Sequence, residues 1–364
     1  MLAESLVHTR GRTLHRALVP PSSFAVVDPI RDPRWASLAQ AASDGCAFHH
    51  PAWLKLLERV YGYPVMACAV LDDQGAFEAG LPMALVGGRV NNARLVALPF
   101  SDVVAPLARD ARASQWRRLS LALQQFRRLN GLPIELRGEL PDGFRRQPTA
   151  VYRQHVLSLT PGYDAVADGM RPQVGRGERR ARREGLRTEF RTDGDALAEF
   201  FRLHVRTRQR QGVPTQPRRF IMGFEELFAE GLGFVVLVRD GKVPAAAAVF
   251  LSSNRTLIYK YGASDPRLLS KRPNNLLFME TIRWACEQGL ERLDFGRTDE
   301  RHDSLSSFKR SFGAEERSLA YSVLGGVAVS ARRHGDSLTA SVIRRSPAFV
   351  GRVAGELLYR DFAA

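Results

Sequence analysis

Apolar residues follow two alternating rhythms between Leu257 and Tyr321. TLIYKYG is β-branched and aromatic, which predicts a strand. Pro273 and Asn274 then sit where a helix begins, and Gly289 where it ends. Between them Leu276, Leu277, Met279, Ile282 and Trp284 recur near helical spacing. LERLDFG returns to a strand rhythm, and polar residues gather at the two strand ends: Ser264, Asp265, Arg297 and Thr298. Ligand sites of β-α-β units lie at such carboxyl ends.

The same pattern occurs earlier in the chain. DDQGAFEAGLPMALV predicts a hairpin turning at Gly75, RLVALPF a strand, SQWRRLSLALQQFRRLNG a helix and LPIELRG a strand. Its later counterparts are the hairpin VRDGKVPAAAAVFL, turning at Gly241, and the strand-helix-strand unit above. A helix precedes each hairpin, in HPAWLKLLERVYG and PRRFIMGFEELFAEG. This order is similar to the acetyltransferase-type α/β fold. The expected architecture is two tandem α/β domains of that type, over residues 20–160 and 161–320, as a pseudo-symmetric pair around a cleft. Residues 321–364 read as a basic helical tail, broken at Pro347 and packed back on the first domain, with an anionic membrane surface as its other possible resting place.

Composition narrows the class. A chain of 364 residues has room for two cores. Its longest apolar run, VPAAAAVFL, is too short to span a bilayer, and the N-terminal stretch lacks the apolar core of a secretory signal. Cys46, Cys68 and Cys286 are odd in number and far apart, which fits neither a disulfide framework nor a zinc site. The expected setting is the cytoplasm, with peripheral membrane contact left open. The net charge of +15 points to a polyanionic partner, whether RNA, a phosphate-bearing substrate or an anionic membrane face. The densest patch, Arg171 to Arg191, holds eight arginines against three glutamates.

Lysine is scarce against that background. Of 53 Lys plus Arg, only Lys55, Lys242, Lys260, Lys271 and Lys309 are lysine. An ammonium is a point charge and a guanidinium a broad fork, so a tight site tells them apart. Lys309, inside FKRSFG, is the strongest candidate for such a site.

RRARREGL, RTRQRQGVPTQP, YKYGAS, PNNLL, LDFGRT and FKRSFGAE together resemble the FemAB-like GNAT superfamily, over residues 40 to 325. That group includes Fem-type peptidyltransferases, which move amino acids from aminoacyl-tRNA onto peptidoglycan precursors, and proteins linked to exopolysaccharide assembly. The latter branch fits better, because the segment from Arg202 to Gly233 has no room for a coiled-coil insertion. The resemblance implies that Lys309, preceded by Phe308, is the catalytic lysine. It implies that Tyr259 and Tyr261 contact substrate, and strand alternation predicts both on one face. It further implies phosphate contacts for Arg208 and Arg210, and a role for Asp102.

Acyl transfer to an amine needs a neutral amine, aligned reactants and donors for the oxyanion. Lys309 would supply positive charge, and Asp294 is a candidate proton acceptor that would equally hold the Arg297 loop. Lys271, Asn274 and Arg297 are candidate substrate contacts. No GxSxG nucleophile is present. The loops SDPRLLSKRPN and SDVVAPLARDARA lack the glycines with which acetyl-CoA users of this fold grip pyrophosphate, which disfavours ordinary CoA binding. The donor stays open among aminoacyl-tRNA, acyl-CoA and acyl carrier protein, with no tightly bound cofactor expected. The expected function is acyl or aminoacyl transfer to an amino group of a phosphate-bearing or lipid-linked saccharide precursor. The alternatives are acyl-CoA-dependent acylation of a small amine and an inactive basic binding module.

Overall fold

The computed structural model describes residues 24–87, 93–141, 144, 147–325, 343–347, 351–356 and 359. The N-terminal stretch and much of the tail read above lie outside the described residues. The chain divides into two compact units. Unit 1 runs to Val151 and resumes at Ala320; unit 2 runs from Tyr152 to Leu319 and takes up the described tail residues from 343 to 359.

Unit 1 begins with β1 (Phe24–Val27), α1 (Pro33–Ala41) and α2 (Pro51–Tyr61). The hairpin β2 (Val65–Leu71) and β3 (Phe77–Val86) follows, then β4 (Arg94–Val96) and the short β5 (Leu107–Ala108). Next come α3 (Ala113–Asn130), β6 (Ile134–Arg137) and β7 (Gln147–Ser158). Unit 2 contains α4 (Tyr163–Asp168), α5 (Pro172–Arg183), β8 (Arg187–Arg191) and α6 (Gly194–Gln211). Two short helices follow, α7 (Arg218–Met222) and α8 (Phe224–Ala229), before the hairpin β9 (Gly233–Asp240) and β10 (Val243–Ser253). The chain continues through β11 (Thr256–Ser264), α9 (Pro273–Glu287), β12 (Arg292–Thr298), α10 (Asp303–Ser311) and β13 (Glu315–Leu324).

The two predicted repeats share one topology. Unit 1 orders its strands β1-β2-β3-β4-β6-β13, and unit 2 orders its own β8-β9-β10-β11-β12-β7. In each, the first four strands are antiparallel. The strand after the long helix then joins in parallel, β6 on β4 and β12 on β11. The last strand of each row is exchanged. Residues 153–158 of β7 pair with β12, while Tyr321–Leu324 of β13 pair with β6. The two units divide inside strands, at Val151/Tyr152 and Leu319/Ala320, against the expected limits of 160/161 and 320/321.

The repeats are not equally developed. β4 has three residues where β11 has nine. Beyond β4, Leu98 and Phe100 take positive φ values of 54° and 60°, which ends the extended run. The Phe100 ring packs against Tyr61 at 4.4 Å. Among the described residues, a long strand in this central position, parted from its parallel neighbour at the carboxyl end, occurs only in unit 2. There Phe278 of α9 anchors the core, 5.0 Å from Tyr259, 5.3 Å from Phe295, 5.6 Å from Phe308 and 5.2 Å from Phe312.

The expected tail divides: Tyr321–Leu324 pair with β6 of unit 1, while its described residues from 343 onwards bond to unit 2. Gln209 Nε2 donates to the Ser346 carbonyl at 2.6 Å, and Thr215 N–H to that of Gly351 at 3.1 Å. Arg218 N–H donates to Glu356 at 2.7 Å. The arginine-rich surface of α6 and its following loop supplies these partners.

His49 in unit 1 is fully buried, its Nε2 on the Ala105 carbonyl at 2.9 Å and its Nδ1 accepting the Cys46 N–H at 3.2 Å. Burial pushes this imidazole down to about 4, against 6.5 ordinarily. The unfolded chain therefore binds more protons between those pH values, and stability falls as pH drops through that window. His49 alone accounts for up to about 3 kcal/mol of this loss. Urea unfolding at pH 7.5 and pH 4.5 checks it: the wild type loses stability on acidification, and His49→Gln loses distinctly less. Equal losses in the two proteins contradict the assignment.

Candidate active site

The site is shaped by two irregularities at the carboxyl ends of β11 and β12. On β10, Phe250 pairs with Tyr259 and the next residue back, Val249, with Tyr261. Lys260 is thus the extra residue of a β-bulge, and a bulge reverses the alternation beyond it. Tyr259 packs towards α9, 5.0 Å from Phe278. Tyr261 packs on the other face, 5.4 Å from His204 of α6 and 6.2 Å from Phe224 of α8. The expectation that the two tyrosines share a face is corrected by this one inserted residue.

The bulge also brings Gly262 onto the Tyr259 face. The Tyr259 hydroxyl occupies the space a Cβ at position 262 would need, with its Cζ only 2.8 Å from that point. Glycine here is a packing requirement of the tyrosine. Burial pushes the Tyr259 hydroxyl up to about 12, so it stays protonated and can donate.

β11 and β12 pair only through Thr256–Ile258 and Arg292–Asp294, although both run further. β12 has its own irregularity against β7 between Asp294 and Arg297, and Gly296 within it has φ +69°. Asp294 caps this turn. Its Oδ1 accepts the Gly296 N–H at 2.7 Å and its Oδ2 accepts from Gln154 Nε2 at 2.8 Å. With both oxygens engaged, its geometry is that of a structural brace.

Lys309 closes the end of β12 from α10. Its side chain is buried, and the ammonium donates to the Gly296 carbonyl at 2.9 Å, Thr298 Oγ1 at 2.8 Å and the Arg297 carbonyl at 3.4 Å. It is not a surface lysine paired with Glu315 or Glu316. Phe308, its neighbour, fills the core between Phe278 at 5.6 Å and Phe312 at 5.1 Å. The packed Phe308 ring fixes the rotation of α10 about its axis, and with it the side from which Lys309 reaches β12.

Ion pairs hold α10 in place. Asp303 meets Arg153 of β7 at 2.7 Å, and Arg310 meets Glu316 of β13 at 3.7 Å. Glu316 also takes His155 Nε2 at 3.1 Å. His155 is fully buried and its pKa is lowered, first by burial and next by the nearby Lys309 charge.

The structure thus gathers Tyr259, Phe308, Lys309, Asp294 and Arg297 around the ends of β11 and β12; Arg297 stacks 4.5 Å over the Tyr152 ring. It assigns other candidates differently. Lys271 pairs with Asp240 at 2.6 Å. Arg208 reaches the Pro214 carbonyl at 3.2 Å and the Tyr359 hydroxyl at 3.4 Å, clamping the tail. Arg210 donates to the Ser264 carbonyl at 3.3 Å, beside the end of β11. Asn274 lies half-buried in the first turn of α9. Asp102 belongs to unit 1, where its backbone carbonyl receives the Tyr321 hydroxyl at 2.6 Å. Thr298, singled out at the end of the second strand, is a partner of Lys309; sequence reasoning missed Gly262, Gln154, His155 and Glu316. Only Gly262 carried a signal, as the one residue in YKYG able to lie under an aromatic ring.

This packing is testable without an activity assay. Gly262→Ala forces the Tyr259 ring to shift and lowers the thermal midpoint. Tyr259→Phe removes the closest atom, so the double variant recovers part of the loss. A Gly262→Ala protein as stable as the wild type contradicts the arrangement.

Residues 168–310 match the acetyltransferase (GNAT) domain family. No curated protein matches the chain in sequence. Among solved structures, FemX is similar with a TM-score of 0.63 at 12% identity, over 82% of this chain and 97% of FemX. A conserved protein of unknown function from Bacteroides thetaiotaomicron VPI-5482 gives 0.55 at 10% identity, over 82% and 98%. The C-terminal domain of an Agrobacterium fabrum protein named as a lysylphosphatidylglycerol synthetase gives 0.53 at 13% identity, over 82% and 92%. At these identities the structural likeness is one of fold. The domain match falls on the unit that carries the bulged strand, the parted β12 and the buried lysine. With that match, residues 168–310 form a GNAT-type acetyltransferase domain, and the repeated topology gives the chain the tandem α/β fold it shares with FemX.

Proposed function

We propose that this acyltransferase forms an amide by moving an acyl or aminoacyl group onto an amino group of a cell-envelope or exopolysaccharide precursor. The observation that carries the reading is the Lys309 ammonium, buried at the parted carboxyl ends of β11 and β12. In the reaction the amine nitrogen attacks the donor carbonyl carbon. The oxygen gains negative charge, the bond to the donor's alcohol or thiol breaks, and that group leaves with a proton. A fixed positive charge beside the developing oxyanion lowers this barrier most where water is scarce. Lys309 acts there through its field and through the Gly296 and Arg297 peptide groups, whose N–H partners become stronger donors when their carbonyls are hydrogen-bonded. The Tyr259 hydroxyl, protonated at neutral pH, is the proposed relay: it gives its proton to the leaving group and takes up the one the amine nitrogen sheds, directly or through water, so it ends the cycle protonated.

The basic helix α5 supports a phosphate-bearing substrate. Arg176, Arg179 and Arg183 are exposed on it and make no ion pair among the described residues. Gly177 packs against Asn275, which sets the helix beside the first turn of α9. The loop entering α9 carries Arg272 rather than glycine at its left-handed position, φ +62°. A donor carried on RNA or on a carrier protein fits this better than free acetyl-CoA. Activated envelope precursors and such donors meet in the cytoplasm, which is the proposed place of work.

Incubating the protein with aminoacyl-tRNA, acyl carrier protein or acyl-CoA donors and nucleotide- or lipid-linked amino sugars, and reading amide formation by mass spectrometry, tests the proposal. Lys309→Ala and Lys309→Met are expected to lower turnover about 10²- to 10³-fold. Lys309→Arg is also expected to be impaired, because the planar fork does not fit the carbonyl cage. Near-wild-type turnover in Lys309→Met sinks the catalytic role. Micromolar acetyl-CoA binding by calorimetry would reassign the protein as an acetyltransferase of small amines.

A further inference from the structure

α3 in unit 1 takes no part in the site above, yet its outer face is unusual. Its 18 residues include Arg117, Arg118, Arg127 and Arg128 and no acidic residue. Leu121 and Leu129 are 60% and 55% exposed, more than any other large hydrophobic residue among those described. Arg117, Leu121, Gln125 and Leu129 follow at four-residue steps and Arg128 lies three from Gln125, so the five share one side of the helix. The opposite side buries Trp116, Leu119, Ala122 and Leu123. The exposed leucines are therefore not the margin of the core. Arg118 turns inward to Glu78 and the Leu71 carbonyl. Arg117 and Arg128 are exposed and make no ion pair among the described residues.

We propose that this face of α3 docks the protein on an anionic lipid surface. A lipid interface offers both things the stripe asks for. Its phosphate layer pairs with Arg117 and Arg128, and its acyl boundary accepts Leu121 and Leu129. A nucleic acid would satisfy the arginines and leave the leucines against charged phosphates. A second copy meeting the same face would set arginines against arginines, since a two-fold contact joins identical patches. The net charge of +15 draws the whole chain towards the same surface. No described helix is long and apolar enough to cross a membrane, so the contact is peripheral. Docking does not depend on the proposed chemistry, and vesicle binding is measured without a transfer assay, so failure of one leaves the other standing.

The test is co-flotation of the full chain with vesicles of equimolar phosphatidylglycerol and phosphatidylcholine, against phosphatidylcholine alone. The wild type is expected to bind the anionic vesicles, to ignore the neutral ones, and to dissociate at high salt. Leu121→Ser with Leu129→Ser is expected to weaken binding about tenfold. Arg117→Gln and Arg128→Gln are each expected to weaken it about fivefold. All four positions are exposed, so thermal midpoints should stay unchanged. The proposal is overturned if the wild type does not float, or if all variants float like the wild type. It is equally overturned if sedimentation shows a dimer that the leucine variants dissolve.

Discussion

A buried ammonium is tolerable only where each of its protons meets an acceptor, because desolvating a lone charge costs several kcal/mol. Lys309 meets that condition with the Gly296 carbonyl, the Arg297 carbonyl and the Thr298 hydroxyl. Two of these acceptors are backbone atoms that an unbroken strand ladder would engage elsewhere. The lysine is therefore stable in place only because β12 is irregular, and the irregularity is held in turn by Lys309 and by Asp294, which accepts the Gly296 N–H. The same reciprocity fixes α10, whose Asp303 and Arg310 tie it to β7 and β13. Positive charge is thereby held at the carboxyl end of β12, within the residues that match the GNAT domain.

The bulge in β11 complements this. One inserted residue, Lys260, sends Tyr259 and Tyr261 to opposite faces, so only Tyr259 shares the aromatic cluster that seats Phe308. Gly262 gives its hydroxyl room. Unit 1 has the same strand order but a three-residue β4, which Leu98 and Phe100 cut short. The two units share a framework; among the described residues the long central strand lies in unit 2, and the exposed arginine–leucine stripe on α3 lies in unit 1.

The repeat was legible because hairpins, helix stops and strand rhythms are local: Gly75 and Gly241 mark turns, Gly131 and Gly289 mark helix ends. Lys309 stood out because arginine dominates the cations around it. The strand exchange of β7 and β13 was not legible, since pairing partners far apart in sequence leave no local trace. The bulge at Lys260 was hidden for the same reason; it exists only relative to the register of β10. The reassignment of Lys271 to Asp240 and of Arg208 to the tail likewise depended on partners more than 30 residues away or beyond the repeat.

The central claim is that Lys309 is locked inside a carbonyl cage, not displayed on the surface. Labelling the native protein with an amine-reactive ester, and following each lysine by peptide mass spectrometry, tests it most directly. Lys55 and Lys242 are exposed and should react at once, while Lys309 should stay unmodified until denaturant unfolds unit 2. Labelling of Lys309 in the native protein as fast as Lys55 would contradict the account.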